Sequence, residues 1–469
     1  LAISDKFPAD LRGGACARAV ARWDGHAYGV GRVTAPGWRG RIQRRGGAPV
    51  KDQVPIYHHD QVRRKKTQRE SLKASPVRDC LIADGPVRAP PPLDAELDAA
   101  LTGIRADLRD EYLQPHPFPW IVGFSGGKDS TLVAHLVFDL LLSLPPDERR
   151  REVHIVANDT LVESPLVVRH IDEAQAEMRA AAEAWRLPVH VVTTRPDPDA
   201  TFWVNLIGRG YPSPNRNFRW CTDRMKIQPT SRYIRTLADR SGQAILLLGV
   251  RRDESATRSG SVTRYDNGAR LNRHNDLVGC MVFRPIKELT TEQVWEFLGS
   301  RLPPWGGSHA ALIRLYRNAL GGECPVVTQK SDAPSCGTSS SRFGCWTCTV
   351  VEKDRSLEGF VEAGFAEFGP LLEFRDWLIS IRDDPARRLA HRRNGKITVT
   401  ASGVFVPGPF TLEARREILD RVLQLEAATG MHLISEAETS RIRAIWAEDA
   451  MQSATWAAEA AASAEVAMA

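Results

Sequence analysis

Between residue 91 and about residue 300 the chain alternates two hydrophobic patterns. Short apolar runs at Trp120–Phe124, Val153–Ala157, Val189–Thr193 and Ala244–Gly249 have the length of buried strands. Between them, apolar residues recur at intervals of three and four. Leu97, Leu101, Ile104 and Leu108 predict a helix over Leu93–Tyr112 that covers the sheet edge. Leu132, Val133, Leu136, Val137 and Leu140 predict another from Asp129 to near Pro145, where proline ends it. A third helix opens at Glu163-Ser-Pro165 and runs to about Trp185, a fourth starts near Thr230, and a fifth contains Val294–Leu298. Alternating strands and helices at this spacing imply an α/β fold, a doubly wound parallel sheet with right-handed crossovers. Residues 259–279 read as a polar loop. Beyond Lys353 the pattern is mainly helical, with a hairpin at Lys396–Val406, and the Ala-rich tail after Met451 carries no pattern.

Ligands of such sheets sit at the carboxyl ends of strands. The first strand runs directly into Ser125-Gly-Gly-Lys-Asp-Ser130. Gly126 and Gly127 let backbone N–H groups approach a ligand closely, and the following helix N-terminus favours an anion. Lys128 adds a mobile charge, and Ser125 and Ser130 add hydroxyl donors. The stretch reads as a phosphate cradle, distinct from the Walker loop, which needs a longer gap before its Gly-Lys-Ser/Thr. Asn158-Asp159-Thr160 ends the second strand, and Gly249-Val-Arg-Arg-Asp-Glu-Ser-Ala-Thr-Arg258 ends the fourth. Arg251 and Arg258 offer forked donors suited to phosphate.

Composition narrows the class. The 469 residues are 42% hydrophobic and 26% charged, ordinary for a globular protein of two or three domains. No apolar run reaches the ~18 residues of a membrane span, and the start lacks the apolar core of a signal peptide. The net charge of +6 is uneven: residues 1–90 hold 18 Lys/Arg against 8 Asp/Glu, leaving −4 for the remainder. That basic excess suits nucleic acid as well as it suits a solvated tail. Residues 1–50, rich in Gly and Arg, are expected to be an unstructured extension, and Ala89-Pro-Pro-Pro92 a linker into the folded part.

Four of the eight cysteines fall within 324–348, as Cys324, Cys336, Cys345 and Cys348 with spacing C-x11-C-x8-C-x2-C. This suggests a metal centre in a reducing cytosol rather than a disulfide framework. Both zinc and a [4Fe–4S] cluster accept four thiolates; one close pair and two dispersed ligands lean towards iron–sulfur. Cys280 reads as a small core residue. Cys221 is flanked by Arg219, Arg224 and Lys226, cations expected to lower its pKa, so it is either a sulfur-handling thiol or a packed residue of the nucleotide-binding segment.

The phosphate loop is followed in order by Asp159-Thr-Leu-Val-Glu-Ser-Pro165, Phe202-Trp-Val-Asn-Leu-Ile-Gly-Arg-Gly-Tyr-Pro212, Arg219-Trp-Cys-Thr-Asp-Arg-Met-Lys-Ile227 and Leu248-Gly-Val-Arg-Arg-Asp-Glu-Ser255. Gly322-Glu-Cys-Pro325 and Ser341-Arg-Phe-Gly-Cys-Trp-Thr-Cys-Thr349 complete the series. Over residues 90 to 400 this arrangement resembles the PP-loop ATP pyrophosphatases (adenine nucleotide alpha hydrolase-like fold). Within them it resembles the PAPS reductase-like branch and its DndC family of DNA phosphorothioation sulfurtransferases, with the SspD proteins similarly close. The Glu-Cys-Gly-Leu-His nucleophile motif of true PAPS reductases is absent, which disfavours sulfate-donor reduction.

The resemblance implies an ATP- and Mg²⁺-using pyrophosphatase domain at 91–310 and a [4Fe–4S] segment at 311–355. A helical region at 356–469 would follow, with 1–90 as a basic extension and linker. It implies catalytic roles for Ser125, Lys128, Asp129 and Cys221. Nucleotide contacts would come from Ser125–Ser130, Asp159, Thr160, Arg219, Lys226, Arg251 and Arg258. The implied partners are DNA, a cysteine desulfurase and other Dnd-type modification proteins, in the cytoplasm and away from membranes. Thiolation of tRNA, and a non-catalytic ATP/iron–sulfur adaptor in a DNA-modification complex, are the alternatives.

Overall fold

The computed structural model describes residues 90–254, 268–319, 343–401 and 403–451. All of them belong to one compact unit, Val87–Ala469. Its sheet has six strands: β1 (Trp120–Gly123), β2 (Val153–Asn158), β3 (Val189–Thr194), β4 (Ala244–Leu247), β5 (Leu271–Arg273) and β6 (Cys280–Phe283). Their spatial order is β3-β2-β1-β4-β6-β5. Five run parallel, and only β5 is antiparallel, to β6.

Strand residues alternate between the two faces, as a period of two requires. Trp120 and Val122 of β1, Ile155 of β2 and Ile245 and Leu247 of β4 enter one core. Ile121, Val156 and Leu246 enter another, on the opposite face. Both faces are covered, which is why these strands read as unbroken apolar runs. The first core is closed by α1 (Ala95–Tyr112), α2 (Lys128–Ser143), α3 (Pro165–Ala184) and, farther on, α5 (Thr291–Ser300) and α6 (Ala310–Ala319). The second core is closed by α4 (Gln228–Ser241). Helix α2 is apolar around most of its circumference because it is sandwiched between the sheet and α1 and α5.

Two details differ from expectation. Helix α1 packs against α2 and the Trp120 end of the central strand, with Tyr112 meeting Trp120 edge-on at 5.2 Å, so it covers a face rather than an edge. The segment expected to be a polar loop at 259–279 contains β5, whose three residues are too few for a period to be read.

From β1 the chain steps outward to β2 and β3, then returns to the other side of β1 to form β4. The carboxyl ends of β1 and β4 therefore flank the topological switch point, the position where such sheets hold ligands. Gly249 closes this corner: a Cβ there would lie 2.7 Å from the carbonyl carbon and oxygen of Asp129, at the start of α2.

A third core lies beyond the sheet. It joins Phe202, Trp203 and Ile207 to Trp346 and to α7 (Arg355–Glu362), α8 (Gly369–Arg382), α9 (Leu412–Thr429) and a helix at 436–451. Trp203 donates to Leu433 O at 2.7 Å and stands 5.9 Å from Trp346. The expected hairpin is present as β7 (Thr398–Val399) and β8 (Phe405–Val406).

Candidate functional site

The loop Ser125–Ser130 turns sharply from β1 into α2. Gly126 adopts φ +71°, and a Cβ there would meet Ile171 Cγ1 at 2.5 Å, so the turn against α3 needs glycine. Ser130 Oγ accepts from Ser125 N at 3.2 Å, donates to Gly127 O at 3.0 Å and lies 3.1 Å from Ser125 Oγ. These bonds fix the turn and occupy the Ser125 N–H and the Ser130 hydroxyl. Ser125 is exposed and Gly127, Lys128 and Asp129 are half-buried, so the rim is reachable. His170 on α3 reaches Gly126 O from Nε2 at 3.1 Å, and burial lowers its pKa so that the neutral ring is favoured.

Asp129 joins the two strand ends. Its Oδ2 accepts from Lys128 Nζ at 2.9 Å and its Oδ1 from Arg251 Nε at 2.6 Å. Arg251 is fully buried and donates also to Leu289 O and Thr291 Oγ1, both at 3.0 Å. The expectation that Arg251 faces a phosphate is therefore corrected: its guanidinium has no surface to offer and acts as a positioning group for Asp129. Sequence reasoning missed Tyr316 of α6, whose hydroxyl accepts from Lys128 N at 3.3 Å and whose ring lies beneath Lys128 Nζ. Nothing in the local sequence singles it out, because its role depends on α6 packing against the loop.

The second half of the site is the loop bearing Cys345 and Cys348. It pairs with the end of β2 through a bridge between Glu163 and Cys345, with Ser164 N donating to Gly344 O and Trp346 N to Val162 O. Thr160, expected to touch nucleotide, is buried and turns to this loop: its Oγ1 donates to Glu163 at 3.1 Å and lies 3.4 Å from Cys345 Sγ. Lys226 pairs with Glu163 at 3.0 Å. Burial opposes the Lys226 charge, yet Cys345 and Glu163 beside it hold its pKa above the ordinary value. Burial, reinforced by Glu163, pushes the Cys345 thiol up. Asp159 accepts from Leu161 N at 2.9 Å and Arg195 Nε at 3.0 Å, while Arg219 is exposed.

Cys221 caps a π-helical turn, Thr222–Ile227, that continues into α4, so the helix begins ahead of its expected start near Thr230. Turns of this kind occur frequently at functional sites. The thiol feels Cys348 and Lys226, but burial dominates and raises its pKa. The expectation of a lowered value is corrected: burial of the sulfur outweighs the lowering by Lys226, and Arg219 is exposed. Cys280 opens β6, is buried, and has its pKa pushed up to about 11 by burial, the core residue its sequence context suggested.

Cys324, Cys336 and Arg258 lie outside the described residues. Among the described residues no group of three or more His, Cys, Asp or Glu side chains converges to hold a metal. Cys345 and Cys348 fit half of a four-thiolate set, in a turn closed by Cys348 N to Cys345 O at 3.0 Å. Buried Arg375 braces it by donating to the carbonyls of Cys348, Val351 and Glu352.

One helix carries both halves. Ser164, just ahead of α3, holds the cysteine loop, and His170 and Ile171 hold Gly126. Six residues of helix separate them by about 9 Å. The fold and this arrangement define a PP-loop, nucleotide-utilising α/β domain. Residues 119–351 match the family model described as phosphoadenosine phosphosulfate reductase domain, so the chain contains a PAPS reductase-like domain. The members of this class are enzymes.

Over 50% of its length the chain is 21% identical to an uncharacterized protein of Methanocaldococcus jannaschii, and the match spans 37% of that protein. Among solved structures it is similar to phosphoadenylyl-sulfate reductase from Candida auris in its phosphate complex. That likeness has TM-score 0.27 and 15% identity, over 44% of this chain and 86% of that one. The FMN adenylyltransferase of Candida glabrata gives TM-score 0.29 and 10% identity over 48% and 60% of the two chains. The U34-tRNA thiolase of Methanococcus maripaludis with its [4Fe-4S] cluster gives 0.29 and 16% over 44% and 65%. At these scores the likenesses carry no functional weight. Among the described residues no helix is long and apolar enough to cross a membrane.

Proposed function

We propose that the protein is an ATP-dependent sulfurtransferase of the DndC type, activating a DNA backbone phosphate by adenylation for replacement of one oxygen by sulfur. The observation that carries this reading is the shared helix: α3 braces the phosphate loop and, about 9 Å away, the cysteine loop. A nucleotide-activation site and a thiol site are thereby held at a fixed separation.

The Gly126 and Gly127 N–H groups and the Ser125 hydroxyl receive the β,γ-phosphates, while Ser130 and Tyr316 brace the loop through the Ser125 and Lys128 N–H groups. Asp129 is the carboxylate at hand for Mg²⁺, which proteins usually bind through one or two carboxylates together with substrate phosphates. A DNA phosphate oxygen attacks the α-phosphorus; the new O–P bond forms as the bond to the β-phosphate breaks, releasing pyrophosphate. Lys128 stabilises charge developing at phosphorus, the largest catalytic contribution in such transfers. The outer sulfur of a persulfide, supplied by a cysteine desulfurase, then bonds to the DNA phosphorus as the bond to AMP breaks. A second thiol cleaves the S–S bond, forming a disulfide and freeing the phosphorothioate; Cys221 is the sulfur-handling thiol of this chain. A [4Fe–4S] cluster would be held by Cys345 and Cys348 with Cys324 and Cys336, and supplies redox or structural capacity when bound. The protein works in the cytoplasm with other Dnd-type proteins.

Mass spectrometry of nuclease-digested DNA from cells with and without the gene tests the reading. Phosphorothioate dinucleotides that depend on the gene support it. Sulfur gained in purified tRNA instead of DNA would replace it with tRNA thiolation, and ATP binding without pyrophosphate formation in the presence of DNA and desulfurase would make it an adaptor.

A further inference from the structure

The hairpin between α8 and α9 has no part in the nucleotide or cysteine sites, yet its surface is unlike the rest of the molecule. Ile397 (66% exposed), Val399 (54%), Val404 (60%) and Phe405 (46%) stand out on two short strands and their turn. Thr400 N donates to Val404 O at 2.8 Å and Gly403 N to Thr400 O at 2.9 Å, with Gly403 at φ +82°. From Pro385 to Thr411 the sequence contains Arg387, Arg388, His391, Arg392, Arg393 and Lys396 and no acidic residue. Arg387 pairs with Glu417 and Arg393 with Asp449. Arg388 donates to the carbonyls of Gly408, Arg382 and Pro407, and Arg392 to the Thr398 hydroxyl at 3.2 Å. Arg388 is thereby committed to backbone acceptors, whereas the hydroxyl acceptor of Arg392 leaves that charge in place. Lys396 is exposed at the hairpin's base. The element is thus an apolar ribbon rising from a cationic base.

We infer that this hairpin is a DNA-docking element, which inserts its apolar strands into a groove of duplex DNA while Arg392 and Lys396 meet the flanking phosphates. The inference rests on the proposed DNA substrate and names the surface that holds it. Charge complementarity selects a polyanion. A two-stranded ribbon fits the major groove of B-form DNA, whereas the deep, narrow major groove of A-form RNA excludes it. The base of the hairpin is welded to the active segment: Phe410 N donates to Gly210 O at 2.6 Å, and Arg415 Nη1 to Gly208 O at 2.6 Å. A Cβ on Gly210 would meet Phe410 O at 2.9 Å. Gly210 leads through Tyr211, whose ring contacts Trp220 at 5.7 Å, to Cys221. A duplex seated on the hairpin is therefore registered against the thiol segment.

The test is fluorescence anisotropy of the full-length protein with a short labelled DNA duplex over a range of salt concentrations, with unlabelled tRNA as competitor. Lys396→Ala is expected to reduce the slope of log affinity against log salt by about 1. Phe405→Ala is expected to weaken binding about tenfold with the slope unchanged, as loss of one large apolar contact does. Both residues are exposed, so the thermal midpoints should match the wild type and exclude misfolding as the cause. If the wild type binds duplex and both variants bind equally well, the hairpin assignment is wrong while the DNA reading stands. If the wild type fails to bind duplex at low salt, the DNA reading itself is lost; hairpin-dependent binding of tRNA alone would overturn the assignment in favour of RNA.

Discussion

Arg251, without exposed surface, donates from Nε to Asp129 Oδ1 at 2.6 Å and so ties the end of β4 to the first turn of α2. Asp129 in turn holds Lys128 Nζ, so the lysine that would meet a phosphate is aimed through a buried arginine. Removing one partner of a buried pair costs about 3–5 kcal/mol because the other charge is left uncompensated. Arg251→Ala should lose most of that stability in denaturant unfolding and should release no pyrophosphate. Arg251→Lys should recover little, since it cannot span Asp129, Leu289 O and Thr291 together. Full activity in Arg251→Lys would contradict the positioning role.

Gly249→Ala probes the same corner with one methyl group. Its Cβ would approach the Asp129 carbonyl to 2.7 Å, a backbone contact that no side-chain rotation relieves. Strain of this kind costs about 1–3 kcal/mol, so the thermal midpoint should fall and nucleotide affinity fall with it. An unchanged midpoint would mean that β4 and α2 are less closely apposed than the structure has them.

Arg375→Ala should release the cysteine loop. Its guanidinium donates to three successive parts of that loop, the carbonyls of Cys348, Val351 and Glu352. Iron per chain, read from metal analysis and visible absorbance, should drop in Arg375→Ala and stay at the wild-type value in Lys128→Ala. Equal iron in both variants would separate the loop's anchoring from any metal it holds.

The buried pair His135 and His309, with Nδ1 and Nε2 3.2 Å apart, predicts acid sensitivity. Burial first, and neighbouring positive charge second, lower their pKa values to about 3 and about 4, whereas an unfolded histidine protonates near 6.5. Below that pH the unfolded chain binds more protons, so stability falls as pH falls towards the folded values. Asp139, raised to about 6 by burial, has the opposite sign, because the folded state takes up its proton first. Between pH 6 and 4 the three groups together leave one excess proton on the unfolded chain, about 1.4 kcal/mol lost per pH unit. The double variant His135→Leu/His309→Gln should lose stability less steeply with acid than the wild type in denaturant titrations at pH 7, 6 and 5. An identical slope would contradict this assignment.

Most of the sheet was legible because its strands are buried on both faces and flanked by helices with clear spacing. The loop Ser125–Ser130 stood out because its glycines, lysine and serines are contiguous, and the structure places it between β1 and α2. What was hidden depended on distance in the chain. Arg251 reads as a free cation until its burial against Asp129 is seen, and Cys221 reads as a thiol among cations until burial is found to outweigh Lys226. Tyr316 and Arg375 act through a hydroxyl and a guanidinium on residues that nothing in the local sequence singles out. Cys345 was legible as a thiol, but its contact with Thr160, 185 positions away, was not.

The most direct test of the account is the identity of the products of ATP turnover with DNA and a persulfide donor, separated by chromatography with label in the α-phosphate. An adenylate-transferring loop predicts pyrophosphate and AMP, with the rate falling about 100- to 1,000-fold in Lys128→Ala. Release of inorganic phosphate and ADP, or pyrophosphate undiminished in Lys128→Ala, would contradict it.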